Sequence, residues 1–374
     1  MNYFFLYQTL KAQFSSGAAT HTPGDSAFGF LSQEFHSRFK NIYQNAELPF
    51  DISSNDAGLN KDFSYPVFHP NKEKKSDGCI ILLHGLNERS WEKYYPWGYQ
   101  LAHNTQKTVI LFPIAHHMNR SPKVWSDPRQ MSPFVQKRKS LLPDVNNLSV
   151  ANVALSERLT NRPERFLLSG YQAANDILDL VAYINNGYHP LINKKASIDF
   201  FAYSIGSFLA QILFLANGHK ELANSKLFIF CGGSAFTDWQ GVSKYIMDSK
   251  AFDRLHMYYE SEQRTDPLVS HVLNETVLGQ SFVDMLSLKN LRKRSVNHFI
   301  SMKDRISTVV LKNDTVAIAD KVKQTLKGVR VDEWDLKYPY SHIMPFPLLS
   351  NKLVNQVNEA FDRLMLKATM LFTT

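Results

Sequence analysis

"SIDFFAYSIGSFLAQIL", residues 197–213, changes its pattern halfway along. A strand-like run from Ile198 to Tyr203 stops at Ser204, and a helix-like run starts after Gly206. A strand that passes into a helix through one residue forces that residue into a strained backbone and lifts its side chain to the edge of the sheet. Neighbours two positions away on either side must then be small, and Ala202 and Gly206 meet that demand. Such a turn suits a nucleophile. The Ser204 hydroxyl stands at a helix start, and the next amide, that of Ile205, faces any oxyanion formed on a bound carbonyl. A small-x-Ser-x-Gly match by itself is common, so its weight depends on what stands at the other strand ends.

Working outward, apolar runs of strand length alternate with longer stretches of helical spacing. The clearest strands are residues 79–84, 108–114, 197–204, 226–232, 307–313 and 329–336. Helical patterns lie near 91–103, 168–186, 206–217 and 351–366, the last with Leu353, Val354, Val357, Phe361, Leu364 and Met365 on one stripe and Ser350 placed to cap it. This alternation predicts an α/β fold with a mostly parallel, doubly wound sheet. Residues 1–60 read as a mostly helical or irregular N-terminal extension, and 61–374 as the main domain. Two excursions interrupt that domain. Residues 116 to about 165 are polar and punctuated by proline, and residues 236 to about 304 form a helical insertion of the size of a cap or lid.

A nucleophilic serine needs a base, and the base needs an acid to orient it. His342 in "YPYSHIMPFP" follows the last expected strand and precedes the C-terminal helix, which places it on the same sheet edge as Ser204. Asp314 in "VVLKNDTVAI" stands just past another strand end, 28 residues before His342. Asp238 in "GGSAFTDWQ" follows the preceding strand and is the alternative acid; Asp314 is favoured for its place and spacing. In "LLHGLNE" Gly85 lets the chain bend so that the Leu86 amide can supply a second oxyanion donor.

"LLHGLNE", "AYSIG", "LKND" and "YSHIMPF", in this order, resemble the α/β-hydrolase superfamily over roughly residues 60–115, 166–235 and 305–370. The resemblance implies Ser204 as nucleophile, His342 as base, Asp314 as its orienting acid, and the Leu86 and Ile205 amides as oxyanion hole. Ala202 departs from the glycine usual at that position. The expected activity is that of a serine hydrolase acting on an ester, with acyl or otherwise hydrophobic substrates favoured by the apolar insertion. A superfamily peptidase or amidase, and a catalytically inactive binding protein of the same fold, are the alternatives.

Composition narrows the rest. The formal charge of +8 is spread along the chain, and its densest runs, residues 71–75 and 291–295, accompany no nucleic-acid motif, so no nucleic-acid partner is expected. His116 and His117 follow a strand and could line the pocket or bind a metal. Adjacent residues rarely aim at one ion, and no His-Glu-x-x-His or Cys-pair pattern exists, so neither metal nor cofactor is expected. Two cysteines, Cys79 and Cys231, make no disulfide framework. A reducing, cytoplasmic setting is the simpler expectation. With no apolar run of 18 residues, no stable membrane insertion is expected, and the partner is a small-molecule substrate.

Overall fold

The computed structural model describes residues 2–15, 28–39, 57–71, 73–218, 220–263, 266–295, 298–348 and 352–374. Its strands are β1 (Gly29–His36), β2 (Asp62–His69), β3 (Ser76–Leu83), β4 (Thr108–Phe112), β5 (Ile192–Tyr203), β6 (Leu227–Phe230), β7 (Ile306–Leu311) and β8 (Arg330–Trp334). They form one eight-stranded sheet in the order β1-β2-β4-β3-β5-β6-β7-β8. The pairs β1/β2 and β2/β4 are antiparallel and every other neighbouring pair is parallel.

Before β5 come the helices α1 (Tyr3–Ser15), α2 (Tyr95–Thr105), α3 (Pro128–Leu141), α4 (Val153–Asn161) and α5 (Arg165–Asn185). α6 (Ile205–Asn217) joins β5 to β6. Between β6 and β7 lie α7 (Ser249–Met257), α8 (Pro267–Glu275), α9 (Val277–Met285), α10 (Leu288–Ser295) and α11 (His298–Ser301). α12 (Ala319–Thr325) and α13 (Val354–Thr373) complete the set among the described residues.

The doubly wound expectation holds, and its cause is visible in β3. Ile80 and Leu82 pack to one face and Cys79, Ile81 and Leu83 to the other, all fully buried. A strand covered on both sides reads as a continuous apolar run for this reason. α1, α2 and α13 cover one face, while α5, α6 and the helical insertion cover the other. α13 buries Val357, Phe361, Leu364 and Met365 of the expected stripe, while Leu353 and Val354 at its start are only partly buried. Its expected cap, Ser350, lies outside the described residues.

Two strands escape a reading of the sequence. Residues 1–60 were expected as a helical or irregular extension, yet they contribute β1 as an edge strand of the sheet. They also contribute α1, whose Tyr3, Leu6 and Leu10 are buried and whose Tyr3 hydroxyl donates to the Phe346 carbonyl at 3.1 Å. β2 carries Pro66, which cannot donate to a ladder and argues against a strand interior. The structure accommodates it because β4 pairs only with Val67 and Phe68, so Pro66 sits beyond the reach of that ladder.

The two excursions are clamped together. Arg138 of α3, itself buried, donates to Asp248 through Nε at 2.7 Å and Nη2 at 3.1 Å, and to Glu157 of α4 at 3.0 Å. Among the described residues no helix is long and apolar enough to cross a membrane.

Candidate active site

β5 ends at Tyr203 and α6 begins at Ile205, so Ser204 is the whole connection. Its backbone has φ 54° and ψ −122°, the strained geometry anticipated for a strand-to-helix turn. The side chain caps nothing at the head of α6. Its Oγ–H instead donates to His342 Nε2 at 2.6 Å.

The need for a small residue at 206 has a different cause from the one the sequence suggests. A Cβ there would stand 2.7 Å from the Leu83 carbonyl oxygen and 2.8 Å from that of His84, both on neighbouring β3 and the turn after it. The Gly206 amide donates to that His84 oxygen at 3.1 Å. The turn is therefore pressed against the adjacent strand rather than against its own. Gly206→Ala is expected to push the serine out of register and lower kcat by about 10²-fold. The overpacking should cost about 1–3 kcal/mol, read as a lower urea midpoint.

His342 stands where the sequence placed it, after β8, and is buried with its ring stacked on Tyr203 at 5.7 Å and 19°. Its Nδ1–H donates to Asp314, 2.8 Å from Oδ2 and 3.0 Å from Oδ1, which leaves Nε2 free to accept from the serine. Asp314 Oδ1 also accepts from the Val316 amide at 2.8 Å and the Ala317 amide at 3.0 Å. The carboxylate is thus fixed from three sides. Asp238, the alternative acid, is paired with Lys321 at 3.0 Å and makes no contact with His342 among the described residues.

Leu86, Ser204, Ile205 and His342 line one cavity of about 410 Å³, together with residues 231–234 and Trp239. Among the described residues no hydrogen bond engages the amide of Leu86 or of Ile205. Ile205 is the first residue of the 13-residue α6 and Leu86 lies in the loop after β3, and their two unused donors on one cavity make that corner receptive to negative charge. A second cavity of about 580 Å³ shares Leu86, Ile205 and Phe208 with the first. Its other walls include Phe166 and Leu167 of α5 and Leu278 and Phe282 of α9, and they are almost wholly apolar.

Of the supporting residues the sequence singled out His116 and His117 as candidate pocket lining, while the roles of His84, Asn87 and Tyr203 gave no signal in it. His84 donates from Nδ1 to the Gly85 carbonyl at 2.8 Å and accepts the Ile114 amide on Nε2 at 2.9 Å. Burial pushes it down to about 3, so it braces this loop as a neutral ring. His117 lines the apolar cavity and is likewise held neutral by burial and by His84 and Arg89 beside it. His116 is neutral for the same first reason. Asn87, at φ 62°, donates to the carbonyls of Ala151 and Tyr245 at 2.8 Å each, tying both excursions to the loop. The Tyr203 hydroxyl donates to the His342 carbonyl. Such partners are brought together only by folding.

Residues 1–373 match a family of unknown function, DUF6051. The chain belongs to DUF6051. No curated protein matches it. Among solved structures, this DUF6051 chain is similar to the peroxisomal α/β-hydrolase Lpx1 of Saccharomyces cerevisiae, at 12% identity over 92% of this chain and 90% of that one, TM-score 0.43. It is similar to carboxyl esterase 2 of the mycorrhizal fungus Tuber melanosporum, at 9% identity over 94% and 88%, TM-score 0.46. Esterase LipW of Mycobacterium marinum matches at 10% identity over 100% and 90%, TM-score 0.48. The mostly parallel sheet, the strained serine turn and the chain order Ser, Asp, His give the DUF6051 chain an α/β-hydrolase fold.

Proposed function

We propose that this protein is a serine hydrolase that cleaves a carboxylic ester through an acyl-enzyme. One observation carries the reading: the Ser204 hydroxyl is 2.6 Å from His342 Nε2, whose other nitrogen is held by Asp314 at 2.8 Å. His342 takes the serine proton as Oγ attacks the carbonyl carbon, and the Leu86 and Ile205 amides receive the oxyanion. The imidazolium then returns its proton to the leaving alcohol. Water, activated by the same ring, later frees the acid. Asp314 holds the ring and offsets the charge it acquires.

The apolar cavity beside Leu86 and Ile205 supports a hydrophobic acyl group as the part of the substrate that is retained. α9 supplies Leu278 and Phe282 to it, which supports the helical insertion as a lid. Burying a short aliphatic chain there contributes about 0.8 kcal/mol per methylene, so kcat/KM should climb as the acyl chain of a soluble ester lengthens until the cavity is full.

A fluorophosphonate probe tests the reading, because phosphonylation needs an activated hydroxyl. Peptide mapping by mass spectrometry is expected to place the adduct on Ser204, with p-nitrophenyl esters hydrolysed by the same preparation. Folded protein that neither labels nor turns over esters would mean a binding protein on an enzyme's scaffold.

A further inference from the structure

The loop that carries Leu86 and the loop that carries His342 are joined by a buried ion pair. The Gly85 amide, next to Leu86, donates to the Tyr94 hydroxyl oxygen at 3.0 Å. That hydroxyl donates to Glu88 Oε1 at 3.1 Å, and the same oxygen accepts from the Lys93 ammonium. Lys93 Nζ donates again, at 2.9 Å, to the carbonyl of Ile343, the residue after His342. It lies 4.6 Å from the centre of the Tyr203 ring and 4.9 Å from that of Tyr94. The Lys93 side chain is 8% exposed and that of Glu88 14%.

We propose that Lys93 and Glu88 are positioning residues, whose ion pair keeps the Leu86 amide in register with the His342 ring. The assignment rests on the hydrolase reading and deepens it. A pair so far out of water is a poor source of stability, since desolvation offsets much of its attraction and apolar replacements are often neutral. It does supply direction. An ammonium distributes several donors from one point, and here they reach one loop through a carboxylate and the other through a carbonyl. Tyr203 reinforces the same alignment from below, with its ring against His342 and its hydroxyl on the His342 carbonyl. Both reacting centres are thus referenced to one buried charge pair rather than to two independent turns. Displacing either by an ångström leaves every side chain of the site present but out of reach, which costs about 10²-fold in rate.

Lys93→Met alone strands a carboxylate in the interior and can fail to fold, so the informative protein is the double variant Lys93→Met/Glu88→Gln, which leaves no lone charge. On a soluble p-nitrophenyl ester its kcat is expected to fall about 10²-fold with KM within about twofold of wild type, and the rate of fluorophosphonate labelling should fall in parallel. A structural role makes a different forecast: activity returns as the thermal midpoint returns. A double variant that is folded and has kcat within about threefold of wild type overturns the assignment, as does one whose loss lies wholly in KM. Tyr94→Phe provides a second reading without touching a charge. It breaks the link between Gly85 and Glu88, and kcat is expected to drop about tenfold; an unchanged kcat counts against the assignment. Wild-type protein that does not react with the probe removes the hydrolase reading itself, whereas reactive wild type beside an equally reactive double variant removes only the role of the pair.

Discussion

Alanine at Ser204 is expected to lower kcat for ester hydrolysis by about 10⁵- to 10⁶-fold and to abolish fluorophosphonate labelling. The hydroxyl hydrogen-bonds the imidazole rather than the helix behind it. Its removal therefore takes away one hydrogen bond, worth about 1 kcal/mol, and leaves the fold in place. His342→Ala should cost a similar factor. The double variant should be no slower than either single one, because base and nucleophile act in the same step. Asp314→Asn still offers an oxygen to the Val316 and Ala317 amides, yet turns an amide nitrogen toward the ring or flips its tautomer, for a loss of about 10⁴. Steady-state rates and urea midpoints on the same samples separate chemistry from stability. More than about one per cent of activity left in Ser204→Ala would overturn the assignment.

The second large effect is on stability and depends on acid. His84, His116 and His117 are buried beside one another and near Arg89, and burial, the largest cause in each case, lowers all three. Each is neutral in the folded protein and takes up a proton only on unfolding. A group whose folded pKa lies below its unfolded value of about 6.5 stabilises the fold fully above that pH and loses the contribution as pH falls towards the folded value. Between pH 7 and pH 5 His84, held at about 3, then withdraws about 2 kcal/mol, and His116 and His117 add to the loss in the same direction. Against a total of about 5–15 kcal/mol a loss of that size is a substantial part of the stability in mild acid. Urea melts at pH 7, 6 and 5 would show the midpoint falling steeply below pH 6.5. An unchanged midpoint at pH 5 would mean that these rings are not held neutral, and His84→Gln should flatten the slope if they are.

How much was legible beforehand follows from the range of the forces involved. The parallel core could be read because a stretch of strand buried on both faces must be apolar, as residues 79–83 of β3 and 109–112 of β4 are. Helix α13 could be read because its apolar stripe repeats within one element. Strand β1 could not. Its residues alternate between partly buried and exposed, with Gln33 and Glu34 in the middle, and only pairing with β2 makes them a strand. β2 was concealed by Pro66, whose tolerance depends on where β4 stops pairing.

At the site, the serine, the histidine and both candidate acids were visible because each is a single chemically distinctive residue at a strand end. The sequence by itself determined the strained turn, since small residues stand two positions to either side of Ser204, and it determined which strand ends would carry reactive groups. The sequence favoured Asp314 over Asp238 by place and spacing, but the distances belonged to the tertiary structure, which places one carboxylate 2.8 Å from the imidazole and the other on Lys321. So did the network through Lys93, Glu88, Tyr94 and Tyr203, and the neutral histidines beneath the loop. Those depend on contacts across as many as 250 residues of chain, from Lys93 to Ile343. Periodicity and turn chemistry act over a few neighbours, whereas burial and pairing are settled only once the sheet has brought distant segments together.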